Sequence, residues 1–244
     1  MVRMASNDAR EGVSLPPMTQ VAAPKSPRRT PADKHDERRK ALAESALRTL
    51  GELGYARASL REIANNSEFS HGVVHYYFND KLELIVYCVR YYKQTCVHRY
   101  DGVVAEATSP DDLVVRFGDK LVETIVEEAP MHRLWYDLRS QSMFEESLRE
   151  AVTQIDQSLE DMISRVVSRY AELAGTEPAI AAPVAYGMFD GIFQQALLGY
   201  LNGRDGALED LRNQVVGLMP MLLAQRSDIT TSHMTTSHMA GELP

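Results

Sequence analysis

A short stretch near the N-terminus carries the side chains best suited to bind another molecule. Residues 70–78 read Ser-His-Gly-Val-Val-His-Tyr-Tyr-Phe, and Ser70 is placed to cap a short helix over them. Val74 and Phe78, four residues apart, share the face expected in a small core. The other face presents imidazoles, phenols and a bare backbone, at His71, Gly72, Val73, His75, Tyr76 and Tyr77.

The elements that must position this face lie just before it. Ser59 and Glu62 have the spacing of a capping box, which predicts a short helix over residues 59–65. Four residues, 66–69, then form a turn. These lengths are typical of a helix-turn-helix, whose second helix enters the major groove of DNA. The apolar residues of both short helices are expected to pack against a preceding helix over residues 36–53.

The residues for other kinds of chemistry are missing from the sequence. It has no paired carboxylates, Ser–His or Cys–His signature, metal-ligand spacing or phosphate-binding glycine loop. Cys88 and Cys96 fit neither a zinc site nor a disulfide framework, which favours a reducing, cytoplasmic location. No apolar run is long enough to span a membrane. We expect no catalytic residue, metal, cofactor or membrane partner.

The charge of the chain is divided unevenly along its length. The net charge is -8, from 26 Lys+Arg and 34 Asp+Glu. Residues 1–81 carry 13 basic and 10 acidic residues, which gives +3, whereas residues 82–244 carry 13 and 24, which gives -11. A locally basic N-terminal part with an acidic remainder is compatible with one DNA-binding face.

The spacing of apolar residues predicts an all-α protein, because they recur three and four apart and no alternating pattern persists. The helices after the helix-turn-helix are predicted over 80–107, 111–128, 131–141, 144–174, 179–201 and 206–225, which makes nine in total. The predicted domains are a disordered arm (1–34), a helix-turn-helix domain (35–81), a helical ligand-binding and dimerisation domain (82–226) and a disordered tail (227–244). The arm is rich in proline and basic residues, and the tail repeats Thr-Thr-Ser-His-Met.

The segment from residue 59 to residue 84 resembles a known DNA-binding module. Ser59-Leu-Arg-Glu-Ile-Ala64, Phe69-Ser-His-Gly-Val-Val-His-Tyr-Tyr-Phe78 and Asn79-Asp-Lys-Leu-Glu-Leu84 look like the N-terminal module of the TetR family. Residues 72–78 look most like the BetI-type regulators within that family. The resemblance covers about residues 36–85 and implies a nine-helix, ligand-responsive regulator, most often a repressor.

The resemblance also implies a role for individual residues. Ser59 and Arg61 would approach phosphates, and His71, Gly72, Val73 and Tyr76 would lie close to bases. Ser70, the predicted cap of the reading helix, is a further candidate DNA contact. Tyr77 and Lys81 would hold the DNA backbone, Lys81 from a helix start. Two positions depart from the family pattern: Glu68 replaces a turn glycine, and His75, also a candidate contact, replaces a phosphate-binding tyrosine.

Aromatic and polar residues of the following helices could line a ligand pocket. The candidate set is Tyr87, Tyr91, Tyr92, Phe117, His132, Trp135, Arg139, Met143 and Asp190. Regulators similar to this chain hold a small-molecule inducer among these helices. Trp135 with Tyr91 and Tyr92 could cage a cationic ammonium group, as the BetI-type resemblance implies. The alternative is that these residues are ordinary core.

The last two predicted helices carry strongly apolar stripes. We expect them to form a homodimer interface as a four-helix bundle, through Phe189, Phe193, Leu197, Leu211, Val215, Leu218 and Leu222. A dimer would place two reading helices about one DNA turn apart on a palindromic operator. The alternative is that the stripes pack against the chain's own core.

Two other functions fit a helical chain of this kind. A helical enzyme that binds a small molecule would need catalytic groups that the sequence does not display. An architectural DNA-binding protein that senses no ligand would need a broad basic surface, which the -11 of residues 82–244 opposes.

Overall fold

A computed structural model of the protein describes residues 30–224. Most of the predicted N-terminal arm and all of the predicted tail lie outside these residues. The predicted arm extends too far, because residues 31–34 already belong to the first helix. Thr30 caps that helix through the backbone N–H of Asp33, and a proline at the first position has the backbone angle that a helix start needs.

The described residues form nine α-helices, as the sequence predicts. The first four build the N-terminal module: α1 (Pro31–Leu53), α2 (Leu60–Asn65), α3 (His71–Tyr77) and α4 (Lys81–Cys96). The rest are α5 (Asp101–Glu106), α6 (Pro110–Gln141), α7 (Glu146–Ala174), α8 (Ala182–Leu201) and α9 (Ala207–Leu218), followed by a 3₁₀ turn at Met219–Leu222. None of these helices is long and apolar enough to cross a membrane.

Two predicted helix boundaries are wrong. The helix predicted over 80–107 breaks after Cys96, where the chain turns and Tyr100 packs its ring on Phe117, at 5.5 Å between centroids. The two helices predicted over 111–128 and 131–141 are one helix, α6, bent at Glu128 (φ -132°, ψ 26°). Pro130 has no N–H to donate, and the helix accommodates it with a kink instead of ending.

Two apolar cores hold the helices together. One lies among α5 to α9 and contains Phe117, Phe189 and Leu211. The other lies inside the N-terminal module, but it also contains Leu134, Trp135 and Leu138 of α6 and two residues of α7. The C-terminal half of α6 therefore packs against the module, so the module and the rest of the chain share a core.

Candidate DNA interface and ligand cavity

Helices α2 and α3 are held in place by local hydrogen bonds and a small core. The Ser59 hydroxyl accepts from the N–H of Glu62 at 3.2 Å, and the Ser70 hydroxyl accepts from the N–H of Val73 at 3.4 Å. In the turn, Ser67 Oγ accepts from the Phe69 N–H at 3.1 Å. The side chains that pack beneath are Leu60, Ile63, Phe69, Val74 and Phe78, all buried. The sequence predicts both caps and this core.

The opposite face of α3 is open. His71, Gly72, His75 and Tyr76 are exposed, and Tyr76 has 74% of its surface accessible. The imidazoles of His71 and His75 pack edge to face at 4.4 Å, so His75 belongs to the same surface.

The flanks of this face hold the other predicted DNA contacts. Val73 and Tyr77 are half-buried at its edge, while Ser59, Arg61 and Ser70 lie exposed at or near the helix starts. Ring contacts join His71 to His75 and Tyr76 to Tyr77, the latter pair at 5.0 Å between centroids, so these four predicted contacts form two adjoining pairs on α3.

Lys81, at the start of α4, has partners within the protein. Its ammonium group donates to the backbone oxygen of Tyr55 and lies 4.1 Å from the centre of the Tyr55 ring. Burial lowers the pKa of Lys81 below its usual value. In this structure Lys81 therefore fixes the loop between α1 and α2 and does not extend from the surface.

Tyr55 is a residue that the sequence analysis missed. Its hydroxyl donates to Glu145 Oε2 at 2.5 Å and its N–H donates to Asp137 Oδ2 at 2.6 Å. Burial, together with the Glu145 hydrogen bond, raises the pKa of Tyr55 to about 12. Arg133 makes a second link, from its guanidinium to the backbone oxygens of Gly51 and Glu52. The module is thus tied to the C-terminal half of α6 and to the turn before α7.

A cavity of about 80 Å³ lies among α4, α6, α7 and α8. Three residues of the predicted pocket line it: His132, Trp135 and Asp190. The cavity has further polar lining residues that the sequence does not predict: Lys93, Cys96, Arg99, Tyr100, Thr124, Tyr136 and Tyr186. The apolar lining residues are Leu121, Leu159, Met162, Ile163, Phe189 and Phe193.

Other residues of the predicted pocket lie outside the cavity. Phe117 is fully buried in the core, and Met143 is exposed on the turn after α6. Tyr87 packs beside Phe78 and under the guanidinium of Arg39. Core packing explains the aromatic side chains of Phe117 and Tyr87. Nothing in the structure explains the apolar side chain of Met143.

The aromatic cage predicted for an ammonium group is not formed. The Tyr91 hydroxyl donates to Glu44 at 2.6 Å, and that of Tyr92 donates to Glu128, so neither tyrosine faces the cavity. The ring of Trp135 already holds a cation, because the Lys93 ammonium lies 4.8 Å from its centre. Helical spacing placed these aromatics on successive turns, but it could not show which way each ring faces.

Ion pairs and hydrogen bonds occupy several charged groups around the cavity. Arg99 pairs with Glu128 at 2.5 Å. Asp190 accepts from Arg139 at 2.5 Å and from the Tyr136 hydroxyl at 3.0 Å. Arg139, predicted as a pocket residue, does not line the cavity but holds Asp190 in place.

Three polar groups at the cavity lack a hydrogen bond or an ion pair among residues 30–224, although the Lys93 ammonium contacts the Trp135 ring. Lys93 is buried, and its ammonium makes neither a hydrogen bond nor an ion pair there. The buried atoms Nε1 of Trp135 and Nε2 of His132 also lack hydrogen-bond partners. Burial lowers the pKa of Lys93 to about 8 and that of His132 to about 4. At neutral pH Lys93 is therefore largely charged and His132 is neutral.

The residues predicted to form the dimer interface point into the chain itself. Phe189, Leu197, Leu211, Val215 and Leu222 are buried in the core, while Phe193 and Leu218 are half-buried. This prediction is wrong for the five buried residues. Their apolar stripes face α6 and α7, so they cannot also contact a second chain.

The outer face of α8 and α9 carries a different apolar set. Its exposed large residues are Val184, Leu198, Leu201, Val216 and Met221. Gly187, Gly191 and Gly217 have open space where a side chain would stand. An apolar surface with such gaps allows the backbones of two helices to approach closely. We refer to these eight residues as the outer α8–α9 face.

Comparisons with known proteins match both parts of the chain. Residues 42–88 match the sequence model described as "Bacterial regulatory proteins, tetR family". The HTH-type transcriptional regulator PksA of Bacillus subtilis (strain 168) is 24% identical over 176 residues, which are 67% of this chain and 80% of PksA.

Two solved structures extend the likeness to the whole helical body. A TetR transcription regulator from Haloarcula marismortui ATCC 43049 has a TM-score of 0.63 at 20% identity, covering 78% of this chain and 100% of its own. The described helices have the tetR-type fold. A second structure, a putative transcriptional regulator from Saccharomonospora viridis in complex with choline, has a TM-score of 0.62 at 17% identity, covering 78% of this chain and 100% of its own.

Proposed function

We propose that the protein is a ligand-responsive, DNA-binding transcriptional regulator that acts as a homodimer. The observation that carries this proposal is the open face of α3, presented by a rigid helix-turn-helix within a segment that matches the tetR family. Transcriptional regulators among the relatives favour this function over an enzyme. A cavity beside the module favours it over an architectural protein without a ligand.

The DNA contacts follow from what each side chain can do. His71, His75 and Tyr76 carry donors and acceptors that can reach base edges, and Gly72 has no side chain to hold the backbone away from the groove. Ser59, Arg61 and Ser70, with Tyr77 at the edge, would contact phosphates. Lys81, whose ammonium group contacts Tyr55, would add a positive charge at the start of α4. The BetI-type subtype rests on residues 72–78 alone.

A homodimer through the outer α8–α9 face would pair two reading helices on a palindromic operator. An isologous contact needs a self-complementary surface, and two helices with exposed apolar residues and glycine gaps provide one. Because the acidic residues concentrate after residue 81, the rest of the dimer would be repelled from the phosphates. We place the protein in the cytoplasm, where it would have access to the operator DNA.

Release of DNA by an inducer would pass through the C-terminal half of α6. This segment lines the cavity with His132, Trp135 and Tyr136, and it contacts the module through Arg133 and Asp137. An inducer that binds one position of this segment more tightly than another would shift the module with it. Repression with release by the inducer is the regulation we propose.

The test is fluorescence anisotropy of the purified protein on the DNA upstream of its own gene and on a scrambled duplex of equal length. We expect at least a roughly hundredfold preference for the upstream DNA. Tyr76→Ala should remove that preference, while Phe144→Ala, an exposed aromatic outside the module, should keep it. Equal and weak binding to both duplexes by the wild type would contradict the proposal.

A further inference from the structure

The charges of the ionised side chains that line the cavity do not cancel. They are two cations, Lys93 and Arg99, and one anion, Asp190. Arg99 forms an ion pair with Glu128, and Asp190 forms one with Arg139. Lys93 alone is left without an ion pair among the described residues. The lining therefore carries one uncompensated positive charge.

Asp156, a carboxylate whose charge acts on Lys93, does not supply the missing partner. Asp156 lies outside the lining, and its oxygens are engaged by the Tyr186 hydroxyl at 2.6 Å and by Arg139 at 3.5 Å. Its side chain is partly exposed, so water screens its charge. Asp156 thus attracts Lys93 from a distance but forms no contact with it.

A buried charge without a partner is costly, which points to an occupant that supplies one. The indole N–H of Trp135 adds to this, because it is buried, can only donate, and has no acceptor. Nε2 of His132 is a third buried polar atom without a partner at the same cavity. Two donors and a charge favour an occupant with negatively charged oxygen atoms.

The volume of the cavity and its remaining lining residues limit which occupant can fit. One water position needs roughly 10–15 Å³, so a cavity of about 80 Å³ holds a molecule of roughly five to eight non-hydrogen atoms. Beside the polar lining residues, six apolar side chains of leucine, isoleucine, methionine and phenylalanine form part of the wall. A phosphate monoester would bring close to two negative charges against Lys93, the one cation of the lining without an ion pair among residues 30–224, whereas a carboxylate brings one.

From this geometry we infer that the cavity binds a small aliphatic monocarboxylate, whose carboxylate lies between Lys93 and Trp135. The inference rests on the proposed function, because it names the class of the inducer. It also disfavours the ammonium ligand that the sequence predicts, since the Lys93 ammonium already lies over the Trp135 ring and would repel a second cation there.

Trp135 is the only tryptophan of the chain, so its emission reports directly on the cavity. We would titrate the full-length protein with hexanoate, hexanamide and hexylammonium, which differ mainly in the charge of one end. Hexanoate should bind roughly tenfold or more tightly than hexanamide, and hexylammonium should bind most weakly. Butanoate provides a shorter acid for the same ranking.

Variants of Lys93 test the cause of this preference. Lys93→Met keeps the apolar stem and removes the charge, so it should lose the preference for hexanoate over hexanamide. Lys93→Arg should keep much of it, which also covers the case that the methionine variant does not fold. Lys120→Met, on the outside of α6, is the matched control and should behave as the wild type.

Three results would overturn the inference: equal or tighter binding of hexylammonium, an unchanged hexanoate preference in Lys93→Met, or no response to either acid at millimolar concentration. Operator anisotropy separates this failure from a failure of the proposed function. If hexylammonium binds and releases DNA, the proposed regulatory function is supported and the proposed class of ligand is wrong. If hexanoate binds at the cavity but leaves DNA binding unchanged, the ligand class stands and the regulation is wrong.

Discussion

Helix α3 exposes its functional side chains to solvent, whereas the cavity buries its own. Tyr76 has 74% of its surface accessible and is free to meet DNA, while Lys93 has 8% accessible and faces an indole ring. An exposed contact residue adds little to folding stability, so it can be chosen for recognition alone. A buried, unpaired ammonium costs stability until a ligand compensates it. Helix α3 is suited to contact a large partner, whereas the cavity is suited to enclose a small one.

The largest expected effect comes from the core that the two regions share. Phe78→Ala should lower the free energy of unfolding by about 3–5 kcal/mol, because it leaves a cavity beneath α3 in a core that also contains Trp135. Urea unfolding followed by Trp135 emission and by far-ultraviolet circular dichroism should give coincident transitions. Tyr76→Ala is the control and should change stability by less than about 0.5 kcal/mol. Transitions that do not coincide would show that the module unfolds separately from the other helices.

A charge placed on the outer α8–α9 face should separate the dimer. Val216→Arg buries an unpaired charge at the proposed interface, so the variant should sediment as a monomer. Its operator affinity should fall by roughly a hundredfold or more, because the two reading helices are no longer linked. Val115→Arg changes an equally exposed valine of α6 and should remain dimeric. A dimeric Val216→Arg protein would refute this interface.

The affinity for hexanoate should depend on pH through Lys93. Its pKa of about 8 means that the ammonium loses its proton above that value, and affinity should fall roughly tenfold per pH unit there. His132 stays neutral because its pKa is about 4, and burial raises the pKa of the Cys96 thiol. Against the effect of burial, hydrogen bonds to carboxylates raise the pKa values of Arg99 and Arg139, and hydrogen bonds from Tyr92 and Arg99 lower the pKa of Glu128, so these three groups keep their charges between pH 6 and pH 9. Asp156 and Asp190 are the other charged groups that act on Lys93. Trp135 titrations across this range in Lys93→Met should show no such decline.

The smallest effect is expected at the link between the two regions. Tyr55→Phe removes the hydroxyl that donates to Glu145, and it should reduce the effect of hexanoate on operator affinity by roughly two- to tenfold. The affinity for each partner alone should change little. Tyr170→Phe, in the core of the helical body, serves as the comparison. If both variants respond to hexanoate like the wild type, the Tyr55 contact does not transmit the signal.

The sequence predicts the module well because its signals are local. The caps at Ser59 and Ser70 are confirmed, and each depends on residues no more than three positions away. The apolar face of α2 and α3 follows from the same short spacing. Only the partner of Lys81 was missed, because Tyr55 is 26 positions distant.

The cavity was harder to predict because packing between distant helices decides it. Apolar periodicity shows that Phe189 or Val215 is buried, but not whether it faces its own chain or a second one. A signal for Lys93 was nevertheless present: it follows Ile85 and Val89 at intervals of four, on the buried face of α4. A lysine at such a position marks a buried charge that needs a partner. Arg99 and Tyr186 carried no comparable local signal.

One titration tests the central claim that the cavity controls DNA binding. Labelled upstream DNA bound to the wild-type protein would be titrated with hexanoate while the anisotropy of the DNA and the emission of Trp135 are recorded together. We predict that the DNA is released over the same concentration range in which Trp135 responds, and that Lys93→Met requires a higher concentration for both. Saturation of the Trp135 signal with the DNA still fully bound would contradict the account.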